Sequence, residues 1–211
     1  MEITKQPNKV PLDEIEKRVW QDISRARASH ALLQQFLNPL GQKSSSHFRN
    51  RDVSLTNAIA HAAVDSIISA LGRLLQPNPK ERESTISKYR NEIVAQLKGR
   101  STAPGESGHS IQSFNQLSDR QWINHLKKQQ KKFTEELLPL RNKLVAHSEI
   151  GFNWSLFTKA EKSIATCIDF VEQVHRTCRS ALDDAANPGP YLDGCFGSVA
   201  QDWIDALLNR R

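Results

Sequence analysis

Tyrosine appears only twice, methionine once and cysteine three times in 211 residues, and valine is scarce. With so few β-formers and no alternating apolar runs, the chain has little from which to build a sheet. The cysteines (Cys167, Cys178 and Cys195) are odd in number and have no CxxC spacing, which argues against a disulfide framework or a zinc ribbon. Cys167 and Cys178 are eleven residues apart in a helical pattern. That places them roughly 16 Å apart along an axis, too far for a disulfide while the helix is intact. Reduced thiols point to a cytoplasmic protein. The opening residues, Met1 to Pro7, contain no apolar signal core, and no run is read as membrane-spanning. Walker, GxGxxG, HExxH and GxSxG motifs are all missing, so nucleotide hydrolysis and metalloprotease or serine-hydrolase chemistry have no footing.

What is abundant favours helix: Leu, Ala, Gln, Lys, Arg and Glu. The net charge of +6 and pI near 9.3 suit an anionic partner such as nucleic acid. Helical spacing runs through Leu12, Ile15, Val19, Ile23, Ala26, His30, Leu33 and Leu37, and Asn38-Pro39-Leu40-Gly41 is expected to stop that helix. A second helix places Leu55, Ile59, Ala63, Ile67, Leu71 and Leu74 on one side and ends at Gln76-Pro77. A third is expected from Lys80 to Lys98, followed by a turn-rich loop from Gly99 to Ser113. Ser118 with Gln121 resembles a capping box for a helix with Trp122, Leu126, Phe133 and Leu137 inward, running to Pro139. Thr158 with Glu161 resembles another, opening a near-heptad helix through Ala160, Ile164, Cys167, Val171, Val174, Cys178 and Leu182. The expectation is an all-α bundle of long antiparallel helices over residues 1–186. A Pro/Gly linker and a short tail helix (Val199, Trp203, Leu207, Leu208) fill 187–211.

One short element concentrates polar chemistry: Arg141-Asn142-Lys143-Leu144-Val145-Ala146-His147. A permanently charged fork that holds phosphate, with an imidazole that titrates near neutrality, is a minimal kit for cutting RNA without a metal. Pro139 is expected to break the preceding helix, leaving Arg141 in a new segment or an irregular join. On one straight helix, six positions amount to about 600°, so Arg141 and His147 would face different ways. Lys127, Lys128, Lys131 and Lys132 form one cationic face on the preceding helix. With Lys143, they are candidates to hold an RNA backbone, although a solvated lysine face reads the same way.

Arg, a polar residue, apolar positions and then His resembles the R-X4-6-H signature of the HEPN superfamily, with five residues intervening. The string Arg-Asn-Lys-Leu-Val-Ala-His-Ser is especially similar to the abortive-infection branch. The resemblance implies a helical bundle acting as a metal-independent ribonuclease of toxin–antitoxin or phage-defence type, with no cofactor. It implies a homodimer whose two Arg/His pairs meet at the two-fold interface, and a possible antitoxin or regulatory protein as further partner. His147 would take the proton of a 2′-OH, Arg141 would neutralise the phosphoryl oxygens, and Asn142 would hydrogen-bond phosphate or fix the histidine. The alternative is a non-catalytic HEPN-like dimer binding RNA, nucleotide or a partner protein.

Other polar residues read more simply. His30, on an apolar stripe, is expected in the core or an interface. His61 and Asp65 stand at i, i+4 and are expected as a solvent-side pair, since no further metal ligand has suitable spacing. Trp122, Trp154 and Trp203 are expected in the core. His125 and His175 have no partner that the sequence names.

Overall fold

The first helix sets the frame. In the computed structural model, which describes residues 10–42, 50–77, 85–100, 120–146 and 152–182, α1 (Leu12–Gln42) is followed by α2 (Asn50–Leu75) and α3 (Ile86–Arg100). Then come α4 (Arg120–Lys132), a π-helical turn (Phe133–Leu137), α5 (Leu138–Ala146) and α6 (Trp154–Leu182). There is no strand among the described residues, and the all-α bundle is what forms. The tail helix, His147, Cys195, Ser118 and residues 101–119 lie outside the described residues.

The stripe read on α1 is its buried face: Ile15, Val19, Ile23, Ala26, His30 and Leu33 are all buried. Helix α2 is central. It packs against α1, α3, α5 and α6, and Ala60, Ala63, Val64, Ile67, Ile68, Leu71, Leu74 and Leu75 are buried on a wide arc. Contrary to the sequence expectation, Val53–Leu75 is long and apolar enough to cross a membrane, with mean hydropathy 1.4. The reason is architectural: a helix covered on several sides needs apolar residues around much of its circumference. Gly72 of α2 allows close approach of the π turn, because a Cβ there would stand 3.2 Å from Cζ of Phe133.

Polar pairs show that neighbours run antiparallel. Ser29 meets Ser66, and Asp22 meets Arg73, between α1 and α2. Between α1 and α6, Glu16 meets Arg179, Arg27 meets Asp169 and Glu172, and His30 and Gln34 meet Glu161. Arg27 grips buried Glu172 with two nitrogens, at 3.0 Å and 2.5 Å, and reaches Asp169 at 2.7 Å. Burial opposes the Arg27 charge, but hydrogen bonds and attraction from both carboxylates outweigh it and raise its pKa.

Helix boundaries differ from the sequence expectation where capping chemistry was misread. Helix α1 continues through Pro39 to Gln42, since one lost backbone bond near the end of a long helix does not terminate it. Helix α3 starts at Ile86 rather than Lys80 because Thr85 caps it, its Oγ1 accepting from the Lys88 amide at 3.1 Å. Helix α6 starts at Trp154, capped by Asn153 Oδ1 accepting from the Leu156 amide at 3.0 Å. Thr158, expected as the cap, instead donates back to the Trp154 carbonyl within the helix, and Glu161 serves His30. Leu55, expected on the packed side of α2, is 46% exposed.

Three buried groups on α6 record the dryness of the core. Burial pushes the Cys167 thiol up to about 12 and raises the Cys178 thiol as well; both are free. His175 is stacked between Trp20 and Tyr89, with centroids 5.3 Å and 5.5 Å away. Burial first, then Arg179 and Arg176, lower its pKa to about 4, and Glu16 at 3.8 Å does not offset this.

The folded chain therefore holds a proton on His175 more weakly than the unfolded chain. As pH falls from 6.5 towards about 4, the unfolded state takes up the proton first, and stability drops. The full effect is on the order of 3 kcal/mol. Calorimetry between pH 7.5 and 4.5 should show Tm falling, with a shallower fall in His175→Phe; identical profiles would refute the assignment. His30, whose pKa burial also lowers, adds to the slope in the same direction. Arg27→Met should cost about 3 kcal/mol in urea unfolding by stranding Glu172. Arg27→Met/Glu172→Leu should recover most of it, and no recovery would mean the ion pair is not the source of the loss.

Candidate functional site

A proline inside a helix removes a donor and drives its ring into the carbonyl four residues back. Pro139 sits in the first turn of α5, and the chain does not break there. Instead the preceding turn widens: the Leu138 amide donates to the Phe133 carbonyl, five residues back, forming the π turn. The sequence expectation of a helix ending at Pro139 is corrected accordingly, since α4, the π turn and α5 form one continuous rod. Leu126, Gln129, Phe133, Leu137 and Leu140 line its buried side. Trp122 is half-buried, stacked on Phe170 with the Arg90 guanidinium 4.6 Å from its ring centre.

Two turns of this rod carry the sequence candidates. On α4, Lys127, Lys128 and Lys131 are exposed and Lys132 is half-buried. Glu135 approaches Lys131 at 3.9 Å and interrupts the positive strip at its far end. Asn142 and Lys143 are exposed on α5. The strip around Lys131 lies about 15 Å along the rod from Arg141.

Arg141 is half-exposed, and its Nε donates to Asp65 Oδ1 on α2 at 2.7 Å. The two side chains are 43% and 46% exposed, so this is a wet contact rather than a buried brace. Among the described residues, no partner is present for the two terminal nitrogens of the guanidinium. Arg27 and Arg73 differ, since each spends Nε and a terminal nitrogen on its carboxylate. His147, the other half of the motif, lies outside the described residues, so the convergence of Arg141 with His147 is a matter for experiment.

Asp65 is the residue that sequence reasoning misassigned. Its spacing from His61 was the only signal, and it was read as a pair between those two. In the fold Asp65 is taken by Arg141, because α2 and α5 pack side by side. The His61 ring nitrogens are sheltered and have no hydrogen-bond partner among the described residues, and the ring stands edge-on to Phe152 with centroids 5.1 Å apart. Burial lowers the His61 pKa. His30 is in the core as expected, its Nε2 3.1 Å from Glu161. Among the described residues, no group of three or more His, Cys, Asp or Glu side chains is disposed to hold a metal.

Protein-family models, curated proteins and solved structures contain no match to this chain.

Because the Arg141–Asp65 pair is exposed, a double-mutant cycle with Arg141→Ala and Asp65→Ala should give a coupling of about 1 kcal/mol or less. Both single variants should fold. A coupling above about 2 kcal/mol in urea unfolding would make the pair a structural brace instead.

Proposed function

We propose that the chain is a metal-independent endoribonuclease of HEPN type, acting as a homodimer in the cytoplasm as the toxin or effector of a microbial stress or phage-defence system. The observation that carries this reading is the state of Arg141. It is held through Nε, has no partner for its terminal nitrogens among the described residues, and lies on a rod that also bears a lysine strip; His147 follows it by six positions in the sequence. A guanidinium held through Nε with its terminal nitrogens unspent suits a phosphate, which it meets with charged hydrogen bonds.

The chemistry follows from those groups. His147 accepts the proton of a ribose 2′-OH, and the freed oxygen attacks the adjacent phosphorus. Arg141 offsets the negative charge that builds on the phosphoryl oxygens, and Asn142 adds a neutral hydrogen bond. The 5′-oxygen leaves and is protonated. The products carry a 2′,3′-cyclic phosphate and a 5′-OH, and DNA is spared for want of the 2′-OH. Because six positions on a straight helix would turn Arg141 and His147 apart, a symmetric second subunit is the simplest way to bring one Arg and one His to the same phosphodiester. Lys127, Lys128, Lys131, Lys132 and Lys143 would hold the flanking backbone. An antitoxin or regulatory protein would restrain the activity.

One observation favours the non-catalytic alternative, a HEPN-like dimer that binds RNA, nucleotide or a protein: Asp65 already offsets the Arg141 charge. Cleavage of a mixed-sequence RNA in EDTA separates the two. Wild type should cut, while Arg141→Ala and His147→Ala should each lose at least about a hundredfold in rate with fold and dimer retained. A wild type that binds RNA but leaves it intact sinks the enzyme.

A further inference from the structure

Among the described residues, Asp65 and Arg141 serve only each other: Nε donates to Oδ1 at 2.7 Å, and neither side chain makes another hydrogen bond or ion pair. Both ends of this contact are anchored in the core. Ala63, Val64, Ile67 and Ile68, around Asp65 on α2, are buried, as are Leu137 and Leu140 just before Arg141. The rod meets α2 a second time where Phe133 lies over Gly72, its Cζ 3.2 Å from the place of a Cβ. Phe133 precedes Arg141 by about two turns and Gly72 follows Asp65 by about two, so antiparallel helices are pinned at points about 10 Å apart. The Arg141 backbone is therefore placed by apolar packing. What the carboxylate governs is where the guanidinium points.

Nε carries a single N–H. Spending it on Asp65 leaves every N–H of the terminal nitrogens, which form an edge that can grip a phosphate. Arg27 and Arg73 each spend a terminal nitrogen as well and lack that whole edge. We propose that Asp65 is a positioning residue for Arg141: it holds Nε and so presents the terminal nitrogens to a phosphodiester, keeping its own bond while the phosphate is bound. This role deepens the reading of Arg141 as a phosphate ligand and rests on it. It also has a signature of opposite signs. A carboxylate near a bound phosphate repels it, so Asp65 weakens ground-state binding. The orientation it imposes acts on the rate of the chemical step. A residue needed only for folding would support both.

The test pairs RNA cleavage in EDTA, with kcat and KM measured separately, with NMR of the Arg141 Nε–H in the intact chain. Asp65→Ala should lower kcat by up to about fivefold, the bias that an exposed pair can exert, while KM falls or stays level. Asp65→Asn, whose Oδ1 still accepts from Nε, should recover most of the lost kcat. The Nε–H should be protected from exchange with water in wild type and Asp65→Asn, and should lose that protection in Asp65→Ala. An unchanged kcat in Asp65→Ala, an equal loss in Asp65→Asn, or a KM that rises as kcat falls overturns the positioning role. An active wild type with an unprotected Nε–H overturns the hold itself. A wild type that protects the Nε–H yet leaves RNA intact overturns the nuclease reading beneath the proposal instead.

Discussion

The site depends on a helix surviving a proline. An α-helix interrupted at Pro139 would leave the Arg141 segment free to leave the bundle at any angle. The π turn absorbs the missing donor and the ring by making one wide loop of backbone, and Leu138 reaches back to Phe133 to close it. The extra residue turns everything beyond it by about 100° relative to an unbroken α-helix. The direction in which Arg141 faces, and hence its meeting with Asp65, is therefore set by that turn. Gly72 contributes from the other side, because the Phe133 ring lies where a side chain on α2 would crowd it. One widened turn and one missing side chain together dock the rod against the central helix.

Around that contact the bundle divides its labour. Apolar surface on α1, α2 and α6 supplies the driving force, while polar pairs between antiparallel helices set their register. The three rungs between α1 and α6 progress in opposite directions along the two helices, from Glu16 with Arg179 to His30 with Glu161. Sliding either helix by one turn would strand Glu172, which is buried and answered by Arg27. Such a cluster adds little net stability over apolar residues of the same size, and its value lies in excluding the wrong alignment.

How much of this was legible depended on whether the signal was local. The stripe from Ile15 to Leu33 and the run from Ile164 to Cys178 declared themselves through spacing, and both face inward. So did Leu126, Phe133 and Leu137 on the rod. Helix starts were less legible, since Ser, Thr, Asn and Glu recur in many places and a cap is defined by which amide a side chain actually reaches. Asn153 and Thr85 do so, whereas Thr158 sits a turn too late. Pro139 was misjudged because the rule for proline in α-helices is silent on a π turn upstream. Asp65 was misjudged for a different reason. Its partner lies 76 residues away, and no pattern within α2 says which helix will pack on it.

The same tertiary fact decides what kind of arginine Arg141 is. An arginine that has given both Nε and a terminal nitrogen to a buried carboxylate, as Arg27 has, cannot exchange it for another anion without exposing the first to a dry interior. Arg141 gives one bond to a carboxylate that water already reaches. Losing that bond costs about as much as any surface pair is worth, on the order of 1 kcal/mol or less, whereas two charged hydrogen bonds to a phosphate return more than that. Exchange would thus cost little at Arg141 and much at Arg27, although the residue type is identical. What separates an exchangeable arginine from a committed one here is which nitrogens are spent, and how wet the carboxylate is that takes them.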